Sequence, residues 1–230
     1  CRRLLLESFL MSHITDNVQR ILGELPENVE LVAAVKTRTP EEISEAIEAG
    51  ISLIGDNYVQ EAEQHFSTIE TRVRRHLIGH LQSNKVNKAV ELFDMIETID
   101  SVKLAEHLDR RCRESGKIMP VLIEINSGRE DNKSGVLPEQ AEQLIRKIAV
   151  LENIRVEGLM TMGPMEGNPE NSRPYFRETR RVFENIGRLG IPNVVMKYLS
   201  MGMTNSYRIA IEEGANIVRL GSLIFGERKK

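Results

Sequence analysis

The chain has 230 residues, of which 40% are hydrophobic, 28% charged and only 4% aromatic. Its 31 Lys and Arg residues nearly balance 34 Asp and Glu residues, for a formal charge of −3, so no basic excess points to nucleic acid. Two cysteines, Cys1 and Cys112, are too few for a disulfide framework. No apolar run reaches the roughly 18–20 residues of a membrane span. Secreted miniproteins, membrane proteins, coiled coils and disordered chains are excluded, and a cytoplasmic location is expected.

Residues 1–10 precede Met11, a plausible natural start. We predict that they are an upstream extension or a remnant of expression without ordered structure, and that residues 11–230 form one domain. The apolar run from Leu4 to Leu6 is too short for the core of a signal peptide.

The first predicted elements are a helix near 13–24 and a buried strand from Leu31 to Val35. Thr39, Pro40 and Glu42 then have the spacing of a capping box at the start of a second helix. The same strand–helix unit recurs. Further strands are predicted near residues 52–55, 75–79, 93–98, 119–126, 154–160, 194–199 and 216–220. Further helices are predicted near residues 57–69, 83–91, 101–115, 138–149, 172–189 and 204–213.

Eight strand–helix repeats without a dividing linker predict a single α/β domain, a (β/α)8 TIM-type barrel with an extra N-terminal helix. An open doubly wound sheet is the alternative. It is disfavoured because no Gly-x-Gly-x-x-Gly turn follows the first strand.

In such a barrel, functional side chains follow the carboxyl ends of the strands. Lys36 directly follows the first apolar run, where partial loss of hydration favours the neutral amine that condenses with an aldehyde. A strand-end lysine that reaches solvent is the ordinary alternative.

The loops after the last two strands have the composition of an anion site. Gly202 and Gly221 allow close approach of the backbone, Ser200 and Ser222 add hydroxyls, and Arg219 adds positive charge. In the alternative interpretation the glycines only make turns and Arg219 pairs with a core carboxylate. Together with Lys36, the loops describe an aldehyde-reactive amine facing a phosphate site, which suggests pyridoxal phosphate (PLP).

Ordered motifs from about residue 13 to 228 carry a family resemblance. They are Val35-Lys36-Thr37, Gly55 to Glu61, His76 to Lys85, Asn126 with Glu130, Lys133 and Gly135, Gly158-Leu159-Met160, Ser200 to Met203, and Val218 to Gly226. In these motifs the chain resembles the pyridoxal phosphate homeostasis protein family, whose barrel is similar to the N-terminal domain of alanine racemase.

The resemblance implies that PLP is bound as an aldimine on Lys36. It also implies a set of cofactor-binding residues around that lysine. These are Asn57 near the ring, Arg219 facing the pyridine nitrogen, and Ser200, Gly202, Met203, Gly221 and Ser222 around the phosphate. The chain departs from the family pattern at Ser206, where an Asp is common, and an acidic residue near the phosphate is thereby lost.

The resemblance further implies a non-catalytic protein that carries, buffers or delivers PLP within the cell, with apo-enzymes as possible recipients. An arginine beside the ring nitrogen weakens the electron sink of most PLP enzymes, and we expect no second acid/base domain after the barrel. A PLP-dependent amino-acid racemase is the alternative, and a phosphate-sugar aldolase using Lys36 is a third possibility.

Other candidates are assigned ordinary roles. His76 and His80 are too far apart along a strand to share a metal ion, so no metal site is expected and His76 is predicted to be a hydrogen-bonded barrel residue. Lys85 and Lys133 are candidates for a second PLP site or a release route, although solvated lysines are the simpler interpretation. We expect a monomer or weak dimer.

Overall fold

The structure, a computed structural model, describes residues 13–69, 73–164 and 167–227, so the predicted extension at residues 1–10 lies outside the described residues. Within these ranges strands and helices alternate. The strands are Glu30–Ala34 (β1), Leu53–Asp56 (β2), Arg74–Leu77 (β3), Met95–Ile99 (β4), Met119–Ile125 (β5), Ile154–Thr161 (β6), Val194–Ser200 (β7) and Ile217–Leu220 (β8). The helices are His13–Glu24 (α1), Pro40–Glu48 (α2), Val59–Thr68 (α3), Val86–Leu92 (α4), Val102–Glu114 (α5), Ala141–Ile148 (α6), Arg173–Arg188 (α7), Tyr207–Glu212 (α8) and Ser222–Phe225 (α9).

The eight described strands form one closed parallel barrel in chain order. Closure is made by β8, which pairs with β1 in the register Leu31 to Val218 and Ala33 to Leu220. The predicted (β/α)8 barrel is confirmed, and the open doubly wound sheet is wrong. Because all strands are parallel, the turns that follow their carboxyl ends meet at one mouth.

Side chains alternate between the barrel interior and the layer of helices. The interior is filled by one apolar side chain from each strand or its end: Val32, Leu53, Ile78, Met95, Leu122, Met160, Tyr198 and Ile217. The intervening apolar residues pack between the strands and the helices in two larger clusters. This alternation directs residues such as Glu124 and Arg219, two positions beyond an interior residue, toward the mouth.

Local sequence rules explain the helix boundaries. Thr39 Oγ1 accepts a hydrogen bond from the Glu42 amide at 3.3 Å, and Glu42 Oε2 accepts one from the Thr39 amide at 3.0 Å. With Pro40 as its first residue, α2 has the predicted capping box, a device worth about 1 kcal/mol. The predicted extra helix, α1, packs against α2 and α9, where the Asn17 amide donates to the Ile224 carbonyl at 3.1 Å.

Several boundaries differ from the predictions by two or three residues, and two of these differences have a clear cause. The strand predicted from residue 93 begins at Met95, because Phe93 is buried among the helices and Asp94 Oδ2 accepts from the Arg75 amide at 2.9 Å. The helix predicted from residue 204 begins at Tyr207, because a turn closed by the Ser206 amide on the Met203 carbonyl precedes it. Among the described helices, none is both long and apolar enough to cross a membrane.

Candidate functional site

Lys36 lies in the turn after β1 and is half-buried. Its neighbour Thr37 has φ of 63°, a left-handed conformation that is costly for a β-branched residue. The Lys36 ammonium lies 5.2 Å from the centroid of the Tyr58 ring. It makes no hydrogen bond or ion pair with any residue that the structure describes. The turn therefore presents an amine that has no counter-ion among the described residues.

The loops after β7 and β8 lie against each other. The Arg219 amide donates to the Gly202 carbonyl at 3.1 Å, so the start of one loop is fixed to the last strand. Farther out, the hydroxyl oxygens of Thr204 and Ser222 are 3.0 Å apart. These contacts bring together the two loops that the sequence predicts as a phosphate site.

The Lys36 turn joins these loops through Arg38 and Gly221. The Arg38 guanidinium donates to the carbonyls of Phe225 at 3.2 Å and Gly226 at 2.6 Å, at the end of α9. A Cβ atom on Gly221 would lie only 3.3 Å from the Ala34 carbonyl oxygen. The turns after β1, β7 and β8 therefore form one continuous part of the mouth.

Gly202 is required by packing within the protein itself. Its φ is +88°, and a Cβ atom there would lie 2.6 Å from Ala210 Cβ and 2.8 Å from Tyr207 Cα. The glycine therefore lets α8 approach the loop after β7. In the same loop, Ser206 Oγ accepts a hydrogen bond from the Met203 amide at 3.3 Å. This hydroxyl orders the turn at the position where an Asp is common in the family pattern described above.

Ser200 and Arg219 lie deeper, inside the barrel. The buried Ser200 hydroxyl donates to Glu97 Oε2 at 2.6 Å and accepts from Arg219 Nη1 at 2.5 Å. Arg219 Nη2 donates to the Thr161 carbonyl at 2.9 Å, and Nη1 lies 3.9 Å from Glu97 Oε2. Desolvation by burial lowers the pKa of Arg219. The pairing of Arg219 with a core carboxylate is thus present, and the assignment of the Ser200 hydroxyl to an anion stays a prediction.

His76 completes this buried group, as its Nδ1 lies 2.7 Å from Glu97 Oε1. The prediction of a hydrogen-bonded barrel histidine is confirmed. His80 is exposed at the mouth. The described residues contain no cluster of three His, Cys, Asp or Glu side chains arranged to hold a metal ion.

A cavity of about 590 Å³ opens at the mouth among the turns that follow β2, β3, β5 and β6. Its lining includes Asn57, Tyr58, Lys85, Glu124 and Lys133. The Lys133 ammonium donates to Glu130 Oε1 at 2.6 Å, whereas Lys85 makes no hydrogen bond or ion pair with the described residues. Asn57 connects the cavity to the Lys36 turn, because it precedes Tyr58, whose ring contacts the lysine.

Glu124 is the buried acid of this cavity. It is 3% exposed, and its Oε2 atom has no hydrogen-bond partner among the described residues. Burial, reinforced by the charge of Asp100, raises the pKa of Glu124 to about 7 although the charge of Arg219 opposes the shift. The mouth therefore contains a carboxyl group that exchanges its proton near neutral pH.

Sequence reasoning did not identify Glu97, Glu124 and Arg38. For the first two a signal existed, because each is the one charged residue in an otherwise uncharged, mostly apolar strand, β4 or β5. Charged residues are rarely fully buried without a partner, so such a position marks a special environment. Arg38 carries no comparable signal, since its partners are backbone carbonyls at the opposite end of the sequence.

Comparison with known proteins identifies the family. Residues 11–229 match the family model of the alanine racemase N-terminal domain. A pyridoxal phosphate homeostasis protein of Aquifex aeolicus is 38% identical over 223 residues, covering 95% of this chain and 97% of that protein. The structure of PipY from Synechococcus elongatus with PLP bound has a TM-score of 0.85 and 31% identity, over 93% of this chain and 100% of that one. An alanine racemase of Clostridium difficile shares the fold alone. It has 15% identity and a TM-score of 0.76, over 96% of this chain and 57% of that one. This chain belongs to the pyridoxal phosphate homeostasis protein family, within the alanine racemase N-terminal domain family.

Proposed function

We propose that this protein binds PLP at the mouth of the barrel and carries, buffers or delivers it, with Lys36 as the covalent attachment point. The observation that carries the proposal is the Lys36 amine, which lies in a strained turn next to the loops after β7 and β8 and has no counter-ion among the described residues. PLP supplies an aldehyde that condenses with a primary amine, and a phosphate that backbone N–H groups bind well.

The residues present fit this cofactor. The amine of Lys36 matches the aldehyde, and the first-turn N–H groups of α9, with the Ser222 hydroxyl, match the phosphate. Gly202, Met203 and Gly221 contribute backbone to the same loops. The Ser200 hydroxyl lies deeper in the barrel and accepts a hydrogen bond from Arg219. Asn57 lies between the Lys36 turn and the cavity, in keeping with a place beside the ring.

The arginine favours carriage over catalysis. Arg219 is buried next to Glu97 and does not readily give up a proton, so a pyridine nitrogen beside it stays unprotonated and withdraws fewer electrons. Glu124 is the observation that favours the second candidate function, a racemase, because a carboxyl group with a pKa of about 7 suits acid/base catalysis.

The attachment point is tested by reducing the PLP-loaded protein with borohydride and locating the label by mass spectrometry. We expect the label on Lys36 and its complete loss in Lys36→Ala. Lys85→Ala and Lys133→Ala are matched controls, since both remove a lysine from the mouth, and both should retain the label. Label that persists in Lys36→Ala would contradict the proposal.

Carriage and racemisation are separated by incubating L- and D-alanine with the loaded protein in deuterated water. A carrier leaves the Cα hydrogen of alanine in place. Sustained exchange at Cα that requires both Lys36 and Glu124 would establish the racemase instead.

A further inference from the structure

A row of buried side chains connects four strands beneath the mouth. His76 at β3, Glu97 at β4, Ser200 at β7 and Arg219 at β8 are linked by contacts of 2.7, 2.6 and 2.5 Å. All four are at most 4% exposed. An unpaired polar group is costly in a barrel core, and these four satisfy one another, so the row is a single hydrogen-bonded unit.

The hydrogen bonds of this row converge on Glu97. A guanidinium has no acceptor, so Arg219 donates to Ser200, and the Ser200 hydroxyl then donates its single proton to Glu97. Glu97 takes the contact with His76 on its other oxygen. Burial alone would raise the pKa of Glu97, but the His76 hydrogen bond, the charges of His76 and Arg219 and the Ser200 hydrogen bond together hold it below its ordinary value. Glu97 is therefore a carboxylate that orients Ser200.

This orientation determines where the guanidinium lies. Ser200 holds Nη1 and the Thr161 carbonyl holds Nη2, so two bonds on neighbouring strands fix the guanidinium plane. Because the Ser200 hydroxyl donates its proton to Glu97, the lone pairs of its oxygen are directed toward Arg219. Without the carboxylate, the hydroxyl is free to rotate and the arginine loses both its oriented acceptor and the compensating charge at 3.9 Å.

We propose that Glu97, held by His76 and acting through Ser200, is a positioning residue that sets how Arg219 meets the ring nitrogen of bound PLP. This inference rests on the proposed function, because it presupposes that the cofactor ring lies against Arg219. In this proposal only Arg219 touches the cofactor. The other three residues of the row act on cofactor recognition indirectly, by holding Arg219 in place.

The test compares two probes, PLP and 1-deazapyridoxal 5′-phosphate, in which carbon replaces the ring nitrogen. Both probes have the same aldehyde and phosphate, so the ratio of their dissociation constants isolates the contact at the ring nitrogen. We expect the wild-type protein to prefer PLP by about tenfold, the value of one hydrogen bond to a charged donor. In Glu97→Gln the ratio should fall close to one, mainly through weaker binding of PLP.

Three variants guard against a trivial explanation. Asp109→Asn removes a buried carboxylate on α5 that hydrogen-bonds Asn153 and no member of the row. It should leave the ratio of the two dissociation constants unchanged. Glu97→Asp keeps the charge and should restore part of the preference. His76→Asn keeps Glu97 itself and should reduce the preference less than Glu97→Gln, and it serves as the test if Glu97→Gln fails to fold.

The outcomes separate the two proposals. A wild-type protein that binds neither probe refutes PLP carriage. A wild-type protein that binds both equally, or folded Glu97 variants that retain the full preference, overturns the positioning role. Equal weakening of both probes in Glu97→Gln also overturns it, since a purely structural defect has that signature.

Discussion

Replacing Gly202 by alanine places a methyl group where the loop after β7 has no room for one. The added Cβ atom would lie 2.6 Å from Ala210 Cβ and 2.8 Å from Tyr207 Cα, and φ at this position is +88°. The second neighbour is backbone of α8, so no side-chain rotation relieves the contact. The substitution therefore combines two costs, backbone strain and overpacking.

Gly214 separates these costs, because its φ is +93° but the nearest atoms to an added Cβ lie 3.6 Å away on the Arg180 side chain. A left-handed alanine costs about 1–2 kcal/mol, part of which is offset by the lower entropy of the unfolded chain. Gly214→Ala should thus lose about 1 kcal/mol of unfolding free energy. Overpacking adds about 1–3 kcal/mol, so Gly202→Ala should lose about 3 kcal/mol.

Urea unfolding of both variants at one pH measures the two losses, and thermal melting should show decreases of about 2–4 °C per kcal/mol for a chain of this size. Because α8 supports the loop containing Met203, Gly202→Ala should also weaken PLP binding at temperatures where the variant is folded, while Gly214→Ala should not. Equal losses of stability in the two variants would refute the reasoning, since they would show that α8 moves away at no cost.

Two further predictions concern the same mouth. Thr37→Asn should raise the free energy of unfolding by about 1 kcal/mol, because asparagine tolerates the φ of 63° better than a β-branched residue. Urea unfolding measures this gain, and an unchanged midpoint would show that Thr37 is not strained. Glu124→Gln should stabilise the protein at pH 8 but not at pH 4. Burial raises the pKa of Glu124 from 4.5 to about 7, so the folded state holds this proton more tightly than the unfolded chain does. The wild type therefore loses stability, on the order of 3 kcal/mol, as pH rises through this interval. The difference between variant and wild type, measured by urea unfolding at both pH values, should vanish at pH 4; the same difference at both would contradict the assignment.

The fold was predictable from local patterns because each pattern has a local cause. A capping box such as Thr39 and Glu42 needs only residues three apart, and an apolar run such as Leu31 to Val35 directly reports burial on both faces. Closure of the barrel then followed from the number of repeats. The start of β4 was misplaced because Phe93 is apolar and lies close to the strand in sequence but packs among the helices.

The site was predictable only in part. Lys36 and the loops after β7 and β8 could be located because strand ends in a barrel share one mouth. The partners of Ser200 and Arg219 could not, because Glu97 lies more than a hundred positions away in sequence and its link to β7 depends on side-chain directions inside the closed barrel. Hydroxyl groups have no distinctive pattern that tells an anion ligand from a link in a buried chain.

The pairing of β1 with β8 has a consequence for folding kinetics. It joins Glu30 to Ile217, which lie near the two ends of the described chain. Because these contacts have a very large separation in sequence, they are expected to be among the last to form. Lys36 follows β1 and Arg219 lies on β8, so the two strands bring these groups to the same part of the barrel only when it closes. A ligand that bridges them thus recognises completed molecules and not folding intermediates. Once bound, it retards reopening of the closing contact, and the half-life of the native state lengthens with ligand concentration.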